Sequence, residues 1–171
     1  MSQDLQTAVI AACSKHEEEN WRNDNYRACV NIGTDYFVKF GPRRDLEPEL
    51  ATQEFIFNHA QQPQTPDPPR IAKILHHFVD QRTMYVVMEH IKLQESPPDL
   101  AERIQKAMIW LSEVPLPSNH MLGPVGGGPI RHKFFKDFEA PFNFQDTKML
   151  DQYMMKVRSP CFYFLKRPNF R

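Results

Sequence analysis

The chain has 171 residues, enough for one ordinary domain or two small lobes with a sizeable core. Lys+Arg and Asp+Glu stand at 21 each and the pI is about 7.1, which excludes the strongly basic signature of a nucleic-acid binder. No stretch approaches the roughly eighteen apolar residues of a membrane span, and Met1-Ser2-Gln3-Asp4 lacks a basic-then-apolar leader, so a cytoplasmic protein with no membrane partner is expected.

Leu5, Ala8, Val9 and Ala12 recur at helical spacing and predict a short amphipathic helix over 5–13. Glu17-Glu18-Glu19 reads as a solvated face, with Trp21 pinning it to the core. A strand over 27–32, turn residues around Gly33-Thr34-Asp35 and a second strand over 36–40 predict a β-hairpin whose second arm carries Lys39. Gly41-Pro42 stops that arm. Leu46-Glu47-Pro48-Glu49 reads as a helix start with proline in the first turn, and the helix runs to about residue 60 through Leu50, Phe55, Ile56 and Phe57.

After the proline-rich loop 61–69, strands over 71–79 and 84–89 about the turn Asp80-Gln81-Arg82 predict a second hairpin. His76 and His77 then alternate faces and are poorly placed to ligate one metal. Pro97-Pro98-Asp99 opens another helix with Asp99 as N-cap and Leu100, Ile104, Met108 and Leu111 as its inward stripe. A glycine-rich loop over 122–130 follows; its continuation through Arg131-His132-Lys133 reads either as an anion nest or as a connector. A last helix is expected over 145–157 with Met149, Tyr153 and Met154 inward, and 159–171 is aromatic and basic. Cys13, Cys29 and Cys161, odd in number and without CxxC spacing, read as reduced thiols.

A lysine among aromatic strand residues must either snorkel to water or meet a partner. The order of elements bears on that choice. Tyr36-Phe37-Val38-Lys39-Phe40-Gly41, the helix from Glu49 to Ala60, Pro69-Arg70-Ile71-Ala72-Lys73-Ile74, Met84-Tyr85-Val86-Val87-Met88-Glu89-His90-Ile91 and the segment 122–144 together span about residues 26–155. In this order they resemble the small lobe of the protein-kinase-like fold, in particular its aminoglycoside phosphotransferase-like branch found in many fungal genomes. The resemblance implies an α+β fold, with an antiparallel sheet and one main helix over 1–93 and a partial helical large lobe over 94–171. It implies that Lys39 contacts the α- and β-phosphates of ATP and pairs with a helix glutamate, Glu49 in preference to Glu54. Met88 becomes the gatekeeper-like residue, and backbone groups at Glu89 and Ile91 meet the adenine edge.

Other family parts are missing. The hairpin before Lys39 offers only Gly33 for a phosphate-covering loop, and Gly126-Gly127-Gly128 is no Walker motif. No His-x-Asp…Asn loop follows Ile91, and Asp137-Phe138-Glu139 imitates the metal-binding Asp-Phe-Gly turn by letters only. The chain stops about where the catalytic loop would begin. The expectation is therefore an incomplete phosphotransferase-like protein with ATP as its ligand, no catalytic residues, no Mg²⁺ bound by this chain alone and no turnover by itself. The alternative is a non-catalytic interaction module that docks a protein on the surface facing the missing lobe.

Overall fold

A computed structural model of the chain describes residues 3–92, 95–118 and 120–158. The fold is α+β, built on a four-stranded antiparallel sheet with helices. Two compact units divide the chain, Met1–Leu116 and Pro117–Arg171.

In the first unit α1 (Gln3–Asn20) leads into β1 (Cys29–Ile32), β2 (Tyr36–Pro42), α2 (Arg43–Ala60), β3 (Ile74–Asp80), β4 (Thr83–Glu89) and α3 (Leu100–Glu113). The strand order is β1-β2-β4-β3, with all three pairings antiparallel. Alternation along the strands sorts the core into two layers. Val38, Phe40, Tyr85 and Val87 pack with Val9 and Cys13 of α1, and Met84, Val86 and Met88 pack with Leu50 of α2. Covered on both faces, β4 buries five consecutive residues, Met84 to Met88, which explains its unbroken apolar run.

Several boundaries differ from expectation. The first helix reaches Asn20 because glutamates are good helix formers and no glycine or proline interrupts them. Its inward stripe is Leu5, Val9 and Cys13, while Ala8 faces solvent. Trp21 does not pin it. The indole is 59 % exposed beneath the Arg22 guanidinium, and His16 holds the end of α1 instead by stacking on Tyr26 and bonding the Arg27 carbonyl.

Gly41-Pro42 does not end β2, which stays paired with Met84 and Thr83 of β4 through both residues. Proline is tolerated at a strand end, where no ladder N–H is demanded. Thus α2 begins at Arg43, and Pro48 falls in its interior, where it offers no N–H to the Arg44 carbonyl. On β3 a bulge between Ile74 and His76 turns Leu75 out to solvent, and His76 and His77 stand opposite Val87 and Val86, on opposite faces.

Asp99 precedes α3 as expected, but its carboxylate accepts from Arg103 Nε at 3.0 Å and caps no backbone N–H. The predicted inward stripe is not buried: Leu100, Ile104, Met108 and Leu111 all stay largely exposed. Trp110, its ring tilted at 48° and 5.7 Å from that of His59, makes the contact to α2.

The second unit gathers around Phe144, which is fully buried against Phe135, Phe142 and Tyr153. Short bridges pair Leu122 with Phe144 and Arg131 with Glu139. A 3₁₀ turn (Lys136–Phe138) intervenes before α4 (Thr147–Arg158), whose Met149 N–H is capped by Asp146 at 2.7 Å. Tyr153 lies in this core, whereas Met149 is partly exposed. Gly123 has φ 144°, and a Cβ there would lie 2.7 Å from the Gly128 carbonyl oxygen. Gly123→Ala is therefore expected to cost about 1–3 kcal/mol in chemical denaturation.

Candidate functional site

The register sets the residues of one sheet face in order. Cys29 and Asn31 of β1 lie directly opposite Lys39 and Phe37 of β2, and Val86 and Met88 of β4 lie opposite the same pair on the other side. Directly opposed residues share a face, so all six project toward the α2 side.

Lys39 Nζ donates to the Glu49 carboxylate, joining mid-β2 to the second turn of α2. Both side chains keep access to water, at 37 % and 48 % exposure. Glu54 is exposed elsewhere on α2, because five residues rotate a helix by about 140°. Leu46, Leu50, Gln53, Val86 and Met88 complete the walls around the pair.

One turn beyond Glu49, Gln53 donates its amide to the Ala72 carbonyl at 2.9 Å and to Met88 Sδ at 3.2 Å. It thereby fixes α2 to the end of β4. The i,i+4 spacing from Glu49 was the sequence signal for this residue.

Along the same face, two residues or about 7 Å from Lys39, Phe37 forms a wall of an open cleft of about 580 Å³. Asn31, Ala72, Glu89, His90, Ile91 and Lys92 complete it. The Glu89 carboxylate accepts the Lys73 N–H at 3.1 Å and meets Arg70 at 3.3 Å, while its own N–H donates to the Lys73 carbonyl. His90 N–H donates to the Asp35 carbonyl, so the Gly33 turn is tied to this end of β4. The Ile91 N–H has no acceptor among the described residues. The segment joining α1 to β1 lies toward the other end, where Phe40 N–H reaches the Ala28 carbonyl.

The two described thiols have opposite surroundings. Cys13 is 1 % exposed, and burial, with Glu17 nearby, pushes its pKa up to about 12. Cys29 is half-buried and faces Lys39 across the hairpin. Because the thiolate is the nucleophile, brief iodoacetamide treatment of the folded protein is expected to label Cys29 well before Cys13, as read by peptide mass spectrometry.

The remaining candidates do not join this site. Arg131 pairs with Glu139 at 3.3 Å, and the glycine run packs closely on itself at Gly123 and Gly128, as a connector does. Asp137 and Phe138 both have positive φ, and Phe138 is 70 % exposed. Cys161 lies outside the described residues. Among the described residues no group of three or more His, Cys, Asp or Glu is placed to hold a metal ion, and no helix is long and apolar enough to cross a membrane. No protein-family model, curated protein or solved structure matches the chain.

Proposed function

We propose that the first unit is a nucleotide-binding lobe of kinase-like fold, related to the aminoglycoside phosphotransferase-like branch, and that it holds ATP without transferring its phosphoryl group by itself. The observation that carries this proposal is the juxtaposition on one sheet face of the Lys39–Glu49 pair and the cleft walled by Phe37, Glu89 and Ile91. The separation suits a base in the cleft and phosphates at the ammonium. In that arrangement the Ile91 N–H is a donor for the base edge, and Glu49 holds the lysine toward the phosphates. Gly33, tied to the base end through His90, is then no cover for the phosphates; that end faces the segment joining α1 to β1, which carries no glycine.

Binding and turnover separate here. Positioned carboxylates are needed for the metal and for the acceptor hydroxyl, and the sequence after Ile91 carries no His-x-Asp…Asn loop. The purified chain is accordingly expected to bind ATP and to show no metal-dependent hydrolysis. ATP, with and without Mg²⁺, should raise the melting temperature and slow iodoacetamide labelling of Cys29, which neighbours Lys39. A melting temperature indifferent to every nucleotide would refute the proposal.

A second reading, a non-catalytic interaction module, is favoured by the uncovered apolar stripe of α3. It stands if nucleotides have no effect.

A further inference from the structure

We propose that the cleft between the 67–70 segment and α3 is a binding site for a small phosphate-type oxyanion, separate from the Lys39 site. The cleft has a volume of about 470 Å³, and Arg70, Arg103 and Lys106 line it together with the carboxylates of Asp67 and Asp99. Arg103 and Lys106 are three residues apart on α3 and therefore share a face. Pro68 and Pro69 in the opposing wall restrict the backbone there, so little order has to be gained on binding.

The cations have donors to spare. Arg103 meets Asp99 through Nε alone, at 3.0 Å, and its two terminal amino groups have no partner among the described residues. Arg70 offers one terminal nitrogen to Glu89 at 3.3 Å. Lys106 pairs at 2.8 Å with Glu102, which does not line the cleft. Three cations and two carboxylates line the cleft itself, with Glu89 and Glu102 meeting two of the cations from outside it. The balance of the lining contrasts with its surroundings, since Met1–Leu116 carries 12 Lys+Arg against 17 Asp+Glu.

Guanidinium forks match pairs of oxygens on a tetrahedral oxyanion, and the ammonium adds a point charge. A doubly charged phosphate gains about twice the Coulomb attraction of a monovalent anion from these groups. Arg70 also links this cleft to the larger one, because its partner Glu89 forms a wall there.

Inorganic phosphate titrated into the full chain at constant ionic strength, followed by ³¹P line broadening and by melting temperature, tests the proposal. Saturable binding is expected, weakened about tenfold or more by the double substitution Arg103→Ala/Lys106→Ala. These two side chains are 66 % and 67 % exposed, so the variant should fold, and its melting temperature without phosphate checks this. Arg44→Ala, at an exposed arginine outside both clefts, should leave phosphate binding unchanged. The site is overturned if phosphate does not saturate, if binding survives the double substitution, or if Lys39→Ala alone abolishes it. No nucleotide enters the experiment, so failure of nucleotide binding leaves this outcome independent.

Discussion

Replacing Lys39 with alanine is expected to abolish stabilisation by ATP while leaving the melting temperature of the free protein nearly unchanged. The two effects separate because the Lys39–Glu49 pair is open to water on both sides. Ion pairs of that exposure contribute about 0–1 kcal/mol to folding, and the Glu49 carboxylate left behind stays hydrated. Phosphates placed against the ammonium depend on it far more, through charge-assisted hydrogen bonds at a partly desolvated position. ATP at about 100 times its dissociation constant stabilises the native state by about 2.7 kcal/mol, several degrees of melting temperature for a chain of this size.

Glu49→Gln should weaken binding less than Lys39→Ala, because the amide keeps an acceptor for the ammonium but loses the charge that orients it. A nucleotide-dependent shift that survives Lys39→Ala would show that Lys39 is not the phosphate ligand.

The second large effect is expected at Phe144. Its ring is fully buried, with centroids 4.7 Å from Phe142, 5.4 Å from Tyr153 and 6.2 Å from Phe135. Phe144→Ala should cost about 3–5 kcal/mol through lost transfer energy and the cavity it leaves. That rivals the whole stability of a unit so small, at roughly 0.1 kcal/mol per residue.

The second unit should therefore lose fixed packing, seen as weakened near-ultraviolet circular dichroism and rapid tryptic cleavage after Lys148 and Lys156. Trp21 and Trp110 both lie in Met1–Leu116, so tryptophan fluorescence should report the first unit separately. Unchanged circular dichroism and protease resistance would show that Phe144 does not organise this core.

Much of the first unit was legible before any coordinates. Period-two alternation and turn chemistry at Gly33-Thr34-Asp35 and Asp80-Gln81-Arg82 specify both hairpins, because a strand's side-chain alternation is local. The lysine in mid-strand was equally visible. Its environment was less so: Phe37 and Cys29 follow from period two and hairpin register once Lys39 is chosen, yet neither residue type announces a site. The boundaries of α1 and β2 misled because glutamate runs and Gly-Pro pairs are read as punctuation, whereas helix propensity carried α1 and strand pairing carried β2 past them.

Three matters were decided only in three dimensions. Glu49 and Glu54 are both plausible partners from spacing, and the rotational phase of α2 against the sheet selects Glu49. The run from Met84 to Met88 is apolar, but only the stacking of α1 and α2 on opposite faces makes all five residues core. Helix α3 shows the converse. Its apolar stripe is written in the sequence at intervals of three and four, and the helix forms, yet burial needs a second surface opposite the stripe. Periodicity belongs to a single element and can be read along the chain; burial and pairing belong to two elements at once and depend on how the fold brings them together.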